Sequence, residues 1–440
     1  MARVLTLIAF VGVIHAVGLL RVPGTPYGSA TLFLGALLLT SYLAGRAAKV
    51  ISLPQITGYL VIGILMGPYV LGIVPSEVLQ EFRFINGVAL ALIALSAGGE
   101  LRLASVKSRI LSIGTITAFQ IVFMFLLVAM AVYMGRGFID FLKDQPPRVA
   151  LAVALLFGLV AVAKSPATTI AVITEEKARG VLTDTVLGIT VLKDVIILIL
   201  IAICIPLATT IVDPSGGFSF HDVREILLEI VGSLAVGIAL GWLVTLYLRR
   251  VREYRILFIL GVAFLSVSLG DWLHLETILI AMAAGFYVQN FSRQGRRLLQ
   301  ALEANSLPVY ALFFAVAGAD LNITVLKTAW VITAAMITAR TVALWASTYL
   351  GASLVGDPPI LRRHAWMGFL AQAGVTLGIA NIVRERFPVW GVQVAAIIIA
   401  MIAVNQLVGP PAFRWALVKA GESHVPDLRG GKEHRRARPS

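Results

Sequence analysis

The sequence has few charged residues and a single cysteine. Charged residues make up only 13% of the 440 residues, whereas soluble domains carry about 25%. This scarcity of charge excludes a protein with a large solvent-exposed surface. The lone Cys204 excludes an intrachain disulfide. What the chain has instead is 59% hydrophobic residues, arranged in long apolar runs that are typical of membrane-spanning helices.

These runs predict an all-α polytopic membrane protein with about fourteen transmembrane helices. Most of the 36 lysines and arginines lie in loops on the side that holds both termini. The positive-inside rule therefore places both termini in the cytoplasm and the protein in the plasma (inner) membrane, and it explains the net charge of +13 without nucleic acid as a partner. We interpret the first span as a retained helix. The predicted spans are 3–20, 28–45, 53–70, 84–101, 110–135, 149–174, 183–206, 226–248, 255–270, 273–290, 306–322, 328–350, 364–383 and 389–412.

A weak internal self-match recurs at an offset of about 220 residues. Ala97-Gly98 matches Ala317-Gly318, and Thr57 matches Thr277. Two six-helix repeats joined by one linker helix would lie in opposite orientations in the membrane, which is the inverted-repeat plan of secondary transporters. We therefore predict an extra N-terminal helix, repeat one, a linker helix, repeat two and a basic cytoplasmic tail able to contact anionic lipid, at residues 1–27, 28–206, 207–254, 255–412 and 413–440.

Four ionisable residues lie inside predicted spans, near the middle of the membrane. They are the acidic Asp194 and the basic Lys164, Lys193 and Arg340. An ionisable group in the hydrocarbon core costs about 2.5–3.5 kcal/mol on insertion scales, so such groups are candidates for function. Asp194 is the only acidic residue deep in a predicted span. No spacing of histidines, cysteines and carboxylates indicates a metal site.

Helix-breaking residues occur at corresponding places in the two predicted repeats. Pro166 removes a backbone donor, and Gly374 weakens the helix in the second repeat. Irregular backbone at membrane depth is tolerated where it lines a cavity. We therefore predict two crossing broken helices, the second of them broken at Gln372 and Gly374. Freed carbonyls and the hydroxyls of Ser165, Thr168 and Thr169 would face an ion site.

Three segments resemble the monovalent cation/proton antiporter superfamily, especially its branch with the glutathione-gated potassium efflux antiporters and bacterial sodium/proton exchangers. They are LPQITGYLVIGILMGP at 53–68, FFAVAGADLN at 313–322 and LAQAG at 370–374. The resemblance implies a homodimer with a scaffold domain and a core domain that moves as an elevator. It also implies that Asp194 is the carboxylate that binds the ion and the proton, and that Arg340 steadies the broken helices.

The sequence departs from this pattern in its positive charges. Lys193 stands where the family has a first Asp, Asn or Gln, and Lys164 adds another cation at the break. One unpaired charge 4 Å from a bound cation costs about 4 kcal/mol at an effective dielectric of 20. The lysines could be neutral, they could pair with Asp194, or the site could bind an anion; the sequence leaves these alternatives open.

The leading hypothesis is proton-coupled antiport of a monovalent cation, Na⁺ or K⁺, without a cofactor. The alternative is a transporter of an anion or organic anion on the same fold, because Lys164, Lys193 and Arg340 make the site net positive. An intramembrane enzyme is not expected, because the sequence shows no pattern of a nucleophile beside its base.

Overall fold

The computed structural model describes residues 26–213, 220–251, 255–303, 306–323 and 325–424. Within these ranges the regular secondary structure is entirely helical, as the sequence predicts. The α-helices are α1 Pro26–Val50, α2 Gln55–Met66, α3 Ser76–Glu81, α4 Arg83–Glu100, α5 Leu103–Ser108, α6 Ile110–Phe119, α7 Phe125–Met134, α8 Pro147–Val162, α9 Pro166–Glu176, α10 Val181–Val212, α11 Phe220–Arg250, α12 Arg255–Leu273, α13 Thr277–Phe291, α14 Gly295–Glu303, α15 Ser306–Ala319, α16 Val325–Leu354, α17 Pro359–His364, α18 Gly374–Arg386 and α19 Gly391–Lys419.

The described helices account for the positions of the predicted membrane spans. Eight are long and apolar enough to cross a membrane, or up to ten if each bent helix pair counts as one span. Three further apolar helices are shorter: α2, residues 85–100 of α4, and α13. The predicted span at 3–20 lies outside the described residues, so the total of fourteen is not confirmed. The last helix continues to Lys419, beyond the predicted end at residue 412.

Two of the helical segments are interrupted. The first runs as α8, leaves helical geometry at residues 163–165 and resumes as α9 with Pro166 as its first residue. The second runs through α17 and the 3₁₀ turn Ala365–Phe369, breaks at residues 370–373 and resumes as α18, with a bend of 48°. Both interruptions lie beside the residues from which the sequence predicts them, because Pro166 cannot donate a backbone hydrogen bond and Gly374 has low helix propensity.

Glycines bring two helix pairs into close backbone contact. In the pair α2–α15, Gly63 lies against the Ala315 carbonyl and Gly318 against the Leu60 carbonyl. In the pair α4–α13, Gly98 lies against the carbonyl of Met282. Small residues let membrane helices approach closely and gain van der Waals contact. Each pair joins a segment of predicted repeat one to a segment of predicted repeat two, which agrees with inverted repeats, although the division into repeats stays a prediction.

Substitution of Gly98 by alanine tests the close packing of α4 on α13. The added methyl group would overlap the Met282 carbonyl, so we expect Gly98→Ala to lower the free energy of unfolding by about 1–3 kcal/mol. The matched control is Gly261→Ala on α12, whose added methyl group meets no atom within 4 Å. Thermal unfolding of both purified variants is the measurement. Equal melting temperatures for Gly98→Ala and the unsubstituted protein would contradict the packing.

Candidate functional site

The two interrupted helices meet at their non-helical segments, which hydrogen bonds join; we call this meeting point the crossing. The backbone N–H of Ser165 donates to the Ala371 carbonyl at 2.8 Å. The amide Nε2 of Gln372 donates to the carbonyls of Val160 and Ala163, at 2.9 and 3.2 Å. Helix ends leave backbone groups without intrahelical partners. At this crossing each broken helix supplies partners for backbone groups of the other.

The guanidinium of Arg340, from α16, lies between the two helix ends. Its nitrogens donate to four backbone carbonyls at 2.9–3.1 Å, and the side chain is only 1% exposed. Two of the carbonyls belong to the end of α8 and two to the end of the segment before α18; they are those of Ala161, Ala163, Phe369 and Leu370. Each helix C-terminus carries roughly half a negative charge, so the single positive charge of Arg340 neutralises both.

The start of α9 is held by the hydroxyl groups that the sequence indicates. The Ser165 side chain caps α9 by accepting from the backbone N–H of Thr168 at 3.3 Å, as an N-cap serine does. The Thr168 hydroxyl lies 2.9 Å from Ser165 Oγ and accepts from Gln406 Nε2 at 2.8 Å. The Thr169 hydroxyl donates to the carbonyls of Gly368 and Ser165. All three hydroxyl side chains are therefore at the crossing, with Thr169 joining the two broken segments.

Asp194 and Lys164 form a buried ion pair beside the crossing. Lys164 Nζ lies 3.0 Å from Asp194 Oδ1, and the two side chains are 2% and 10% exposed. The second carboxylate oxygen of Asp194, Oδ2, is buried and has no hydrogen-bond partner among the residues that the structure describes. An unmatched polar atom in a buried position costs about 1–3 kcal/mol, and more for a charged group. The unmatched oxygen is therefore the place where a proton or a cation would relieve this cost.

Lys193 does not pair with the neighbouring carboxylate. Its Nζ donates to Gln120 Oε1 at 3.0 Å and lies 5.6 Å from the centre of the Phe369 ring. Gln120 in turn donates to the Thr348 hydroxyl at 2.8 Å. Consecutive residues on a helix point about 100° apart, which separates Lys193 from Asp194. This answers a question that the sequence leaves open: the lysine that binds Asp194 is Lys164.

A half-buried acidic residue, Glu276, was not singled out from the sequence. It precedes α13, and its backbone N–H donates to Ser233 Oγ at 2.9 Å. A position just before a helix is usually interpreted as a solvated cap, so the sequence carries no signal of this environment.

Comparisons with known proteins identify the family. The protein-family model described as "Sodium/hydrogen exchanger, transmembrane" matches residues 7–419, nearly the whole chain. The chain belongs to the sodium/hydrogen exchanger family. A curated relative, the ammonium/H⁺ antiporter subunit AmhT of Alkalihalophilus pseudofirmus, is 23% identical over 286 residues, which cover 64% of this chain and 68% of that protein.

Two solved structures share the fold of this exchanger-family protein. Both are of the sodium proton antiporter MjNhaP1 from Methanocaldococcus jannaschii. One, at pH 8, has a TM-score of 0.67 with 18% identity over 90% of this chain and 99% of that chain. The other has a TM-score of 0.68 with 17% identity over 93% and 98%. The protein is therefore a multi-pass membrane protein of a transporter family. None of these matches is a glutathione-gated potassium antiporter, so that branch stays a prediction.

Replacement of Arg340 tests whether this exchanger depends on the neutralised helix ends. Arg340→Gln leaves several buried carbonyls unmatched, and we expect the free energy of unfolding to fall by about 3–5 kcal/mol, as for a broken buried charge pair. Arg340→Lys keeps the charge but has no planar fork, so it should recover only part of this loss. Thermal unfolding in detergent measures both variants. Full stability of Arg340→Gln would show that the helix ends do not need the guanidinium.

Proposed function

We propose that the protein is a secondary transporter that exchanges a monovalent cation, Na⁺ or K⁺, for protons, with Asp194 as the carboxylate that binds either the cation or the proton carried by Lys164. The observation that carries this proposal is the buried Asp194 beside two crossing broken helices, with one oxygen bound to Lys164 and the other unmatched. Membership of the sodium/hydrogen exchanger family and the shared fold support it.

Coupling follows from competition for one carboxylate. The Lys164 ammonium already provides the counter-charge of Asp194. A cation that binds Oδ2 would place a second positive charge near that ammonium, at a cost of about 4 kcal/mol for a 4 Å separation and an effective dielectric of 20. Release of the Lys164 proton removes this cost. In this mechanism cation binding expels a proton, and a returning proton expels the cation.

The remaining polar groups have two roles in the proposed site. Ser165, which follows Lys164 in the chain, and Thr168 have hydroxyl oxygens 2.9 Å apart and are candidate cation ligands. The other groups maintain the crossing. Thr169 and Gln372 bind backbone carbonyls of the opposite broken segment, and Pro166 and Gly374 stand where the two helices resume.

We propose that transport occurs by an elevator movement in a homodimer in the plasma membrane, with both termini cytoplasmic. Two clusters of buried apolar side chains support a division into two bodies that move relative to each other. One surrounds the site and contains residues of α8, α9, α10 and α19, with residues of α2, α4 and α15 packed against them. The other joins α11 and α12 to α4 and α13. Movement of the first body against the second would carry Asp194 from one side of the membrane to the other.

Transport of an anion receives less support from the described contacts. Arg340 is occupied by four backbone carbonyls, Lys164 by Asp194 and Lys193 by Gln120. Each of the three cations on which that alternative rests therefore has a partner. Ammonium should be compared with Na⁺ and K⁺ as a substrate, since one curated relative is an ammonium/H⁺ antiporter subunit.

Removal of the Asp194 charge tests the assignment of the carboxylate. We expect Asp194→Asn in proteoliposomes to abolish cation-dependent dissipation of a pH gradient, because the amide can neither neutralise a cation nor hold the Lys164 ammonium in an ion pair. Glu77→Gln, an exposed acidic residue of α3, is the control and should transport normally. Equal cation-dependent proton flux in Asp194→Asn and the unsubstituted protein would refute the role of this residue.

Removal of Lys164 tests the competition. In the unsubstituted protein the half-saturating cation concentration should fall as pH rises, by up to about tenfold per pH unit for a one-for-one exchange. Lys164→Gln removes the internal competitor, so this pH dependence should largely disappear. Lys193→Gln leaves the Lys164–Asp194 pair in place, so this variant should keep the pH dependence of the half-saturating cation concentration. A steep pH dependence that persists in Lys164→Gln would assign the exchanged proton to another group.

A further inference from the structure

A short segment after the last helix reaches the start of the helix that carries Asp194. In this segment, residues 420–424, Glu422 is only 7% exposed. Its Oε1 accepts from the backbone N–H of Leu182 at 2.7 Å. Its Oε2 accepts from the backbone N–H and the hydroxyl of Thr183, at 2.8 and 2.7 Å. One buried carboxylate thus binds three donors in the first turn of α10.

The N-cap residue of α10 cannot perform this task. The residue before the helix is Gly180, which has no side chain to accept a hydrogen bond. The first N–H groups of a helix need an acceptor, and a negative charge is favoured at this end. Glu422, 240 residues away along the chain, supplies the acceptor for the Leu182 N–H and also the negative charge. The cap of α10 therefore comes from beyond α19.

The same segment also fixes the end of α9. Glu176 is buried at the last position of α9, and its carboxylate accepts from Ser423 Oγ at 2.5 Å and from Arg414 Nε at 2.8 Å. Its backbone carbonyl accepts from the N–H of His424 at 3.0 Å. α9 begins beside Lys164, and α10 carries Asp194. The two helices that position the ion pair are therefore joined at their other ends through residues 422–424.

Gly180 provides room for this contact. Its φ of +151° is one that residues with a side chain rarely adopt, and an added Cβ would overlap the Glu422 carboxyl group. The Glu422–α10 contact can therefore be disturbed from either side, by removing the carboxylate or by filling the space at residue 180.

We infer that residues 420–424 are part of the transport core and that Glu422 is a positioning residue for the Lys164–Asp194 pair. The effect of Glu422 on transport rests on the proposed function. Glu422 fixes α10 against α9, and the distance between Lys164 and Asp194 depends on how these helices lie. Small displacements of a reacting group are costly, with about 1 Å able to change a rate by 100-fold. Loss of Glu422 should therefore weaken cation binding at a site that it does not touch.

The experiment compares Glu422→Ala, Glu422→Gln and Gly180→Ala with the unsubstituted protein. Hydrogen exchange first reports on the contact: the amides of Leu182 and Thr183 should exchange at least about tenfold faster in Glu422→Ala, since a charge-assisted bond is lost. Titration of the melting temperature with Na⁺, K⁺ and ammonium then gives the half-saturating cation concentration without requiring transport. We expect it to rise about tenfold in Glu422→Ala and Gly180→Ala, and less in Glu422→Gln, which keeps one acceptor oxygen.

Two controls separate positioning from general stability. A chain that ends at residue 424 keeps the segment and should bind cations as the full chain does. The double variant Gly180→Ala/Glu422→Ala should bind no more weakly than the worse single variant, because both substitutions break one contact.

An unchanged half-saturating concentration and pH profile in Glu422→Ala, with only less folded protein, would overturn the inference and leave a merely structural cap. Unchanged exchange at Leu182 and Thr183 would also overturn it. The proposed function fails in a different way: the unsubstituted protein would bind a cation in the melting experiment but show no cation-driven proton flux.

Discussion

The guanidinium of Arg340 is the contact on which the crossing of the two broken helices depends. A helix that stops inside the membrane leaves carbonyl groups without partners, and lipid cannot supply donors. Arg340 donates to four such carbonyls from two helix ends while it is itself almost completely buried. The two half-charges of the helix ends add to about one negative charge, which one arginine neutralises.

This neutralisation changes how the charges at the site are counted. The sequence presents three cations against one carboxylate, which makes the site net positive. Once Arg340 is matched with the helix ends, two lysines and Asp194 remain. Lys164 matches Asp194 directly, and Lys193 donates to the amide of Gln120 beside the Phe369 ring. The carboxylate then keeps one oxygen unmatched by any described residue, and in the proposed mechanism this oxygen makes competition between a cation and a proton possible.

The sequence predicts the membrane class, the positions of thirteen described helices or helix pairs and the two interruptions, because apolar length, Pro166 and Gly374 are local signals. It also indicates residues that lie at the crossing. It does not reveal which lysine binds Asp194, since this depends on how α8, α9 and α10 lie against one another. It leaves Glu422 in a basic tail, because a carboxylate that caps a helix 240 residues away has no local signature.

Proton release on cation binding tests the central claim most directly. Calorimetric titration of the purified protein with a cation, in buffers of different ionisation enthalpy, counts the protons that leave the protein during binding. Competition between the cation and the Lys164 ammonium for Asp194 predicts about one proton released per cation bound near neutral pH. Cation binding with no proton release would contradict the account, because Lys164 and the cation would then share the carboxylate without exchange.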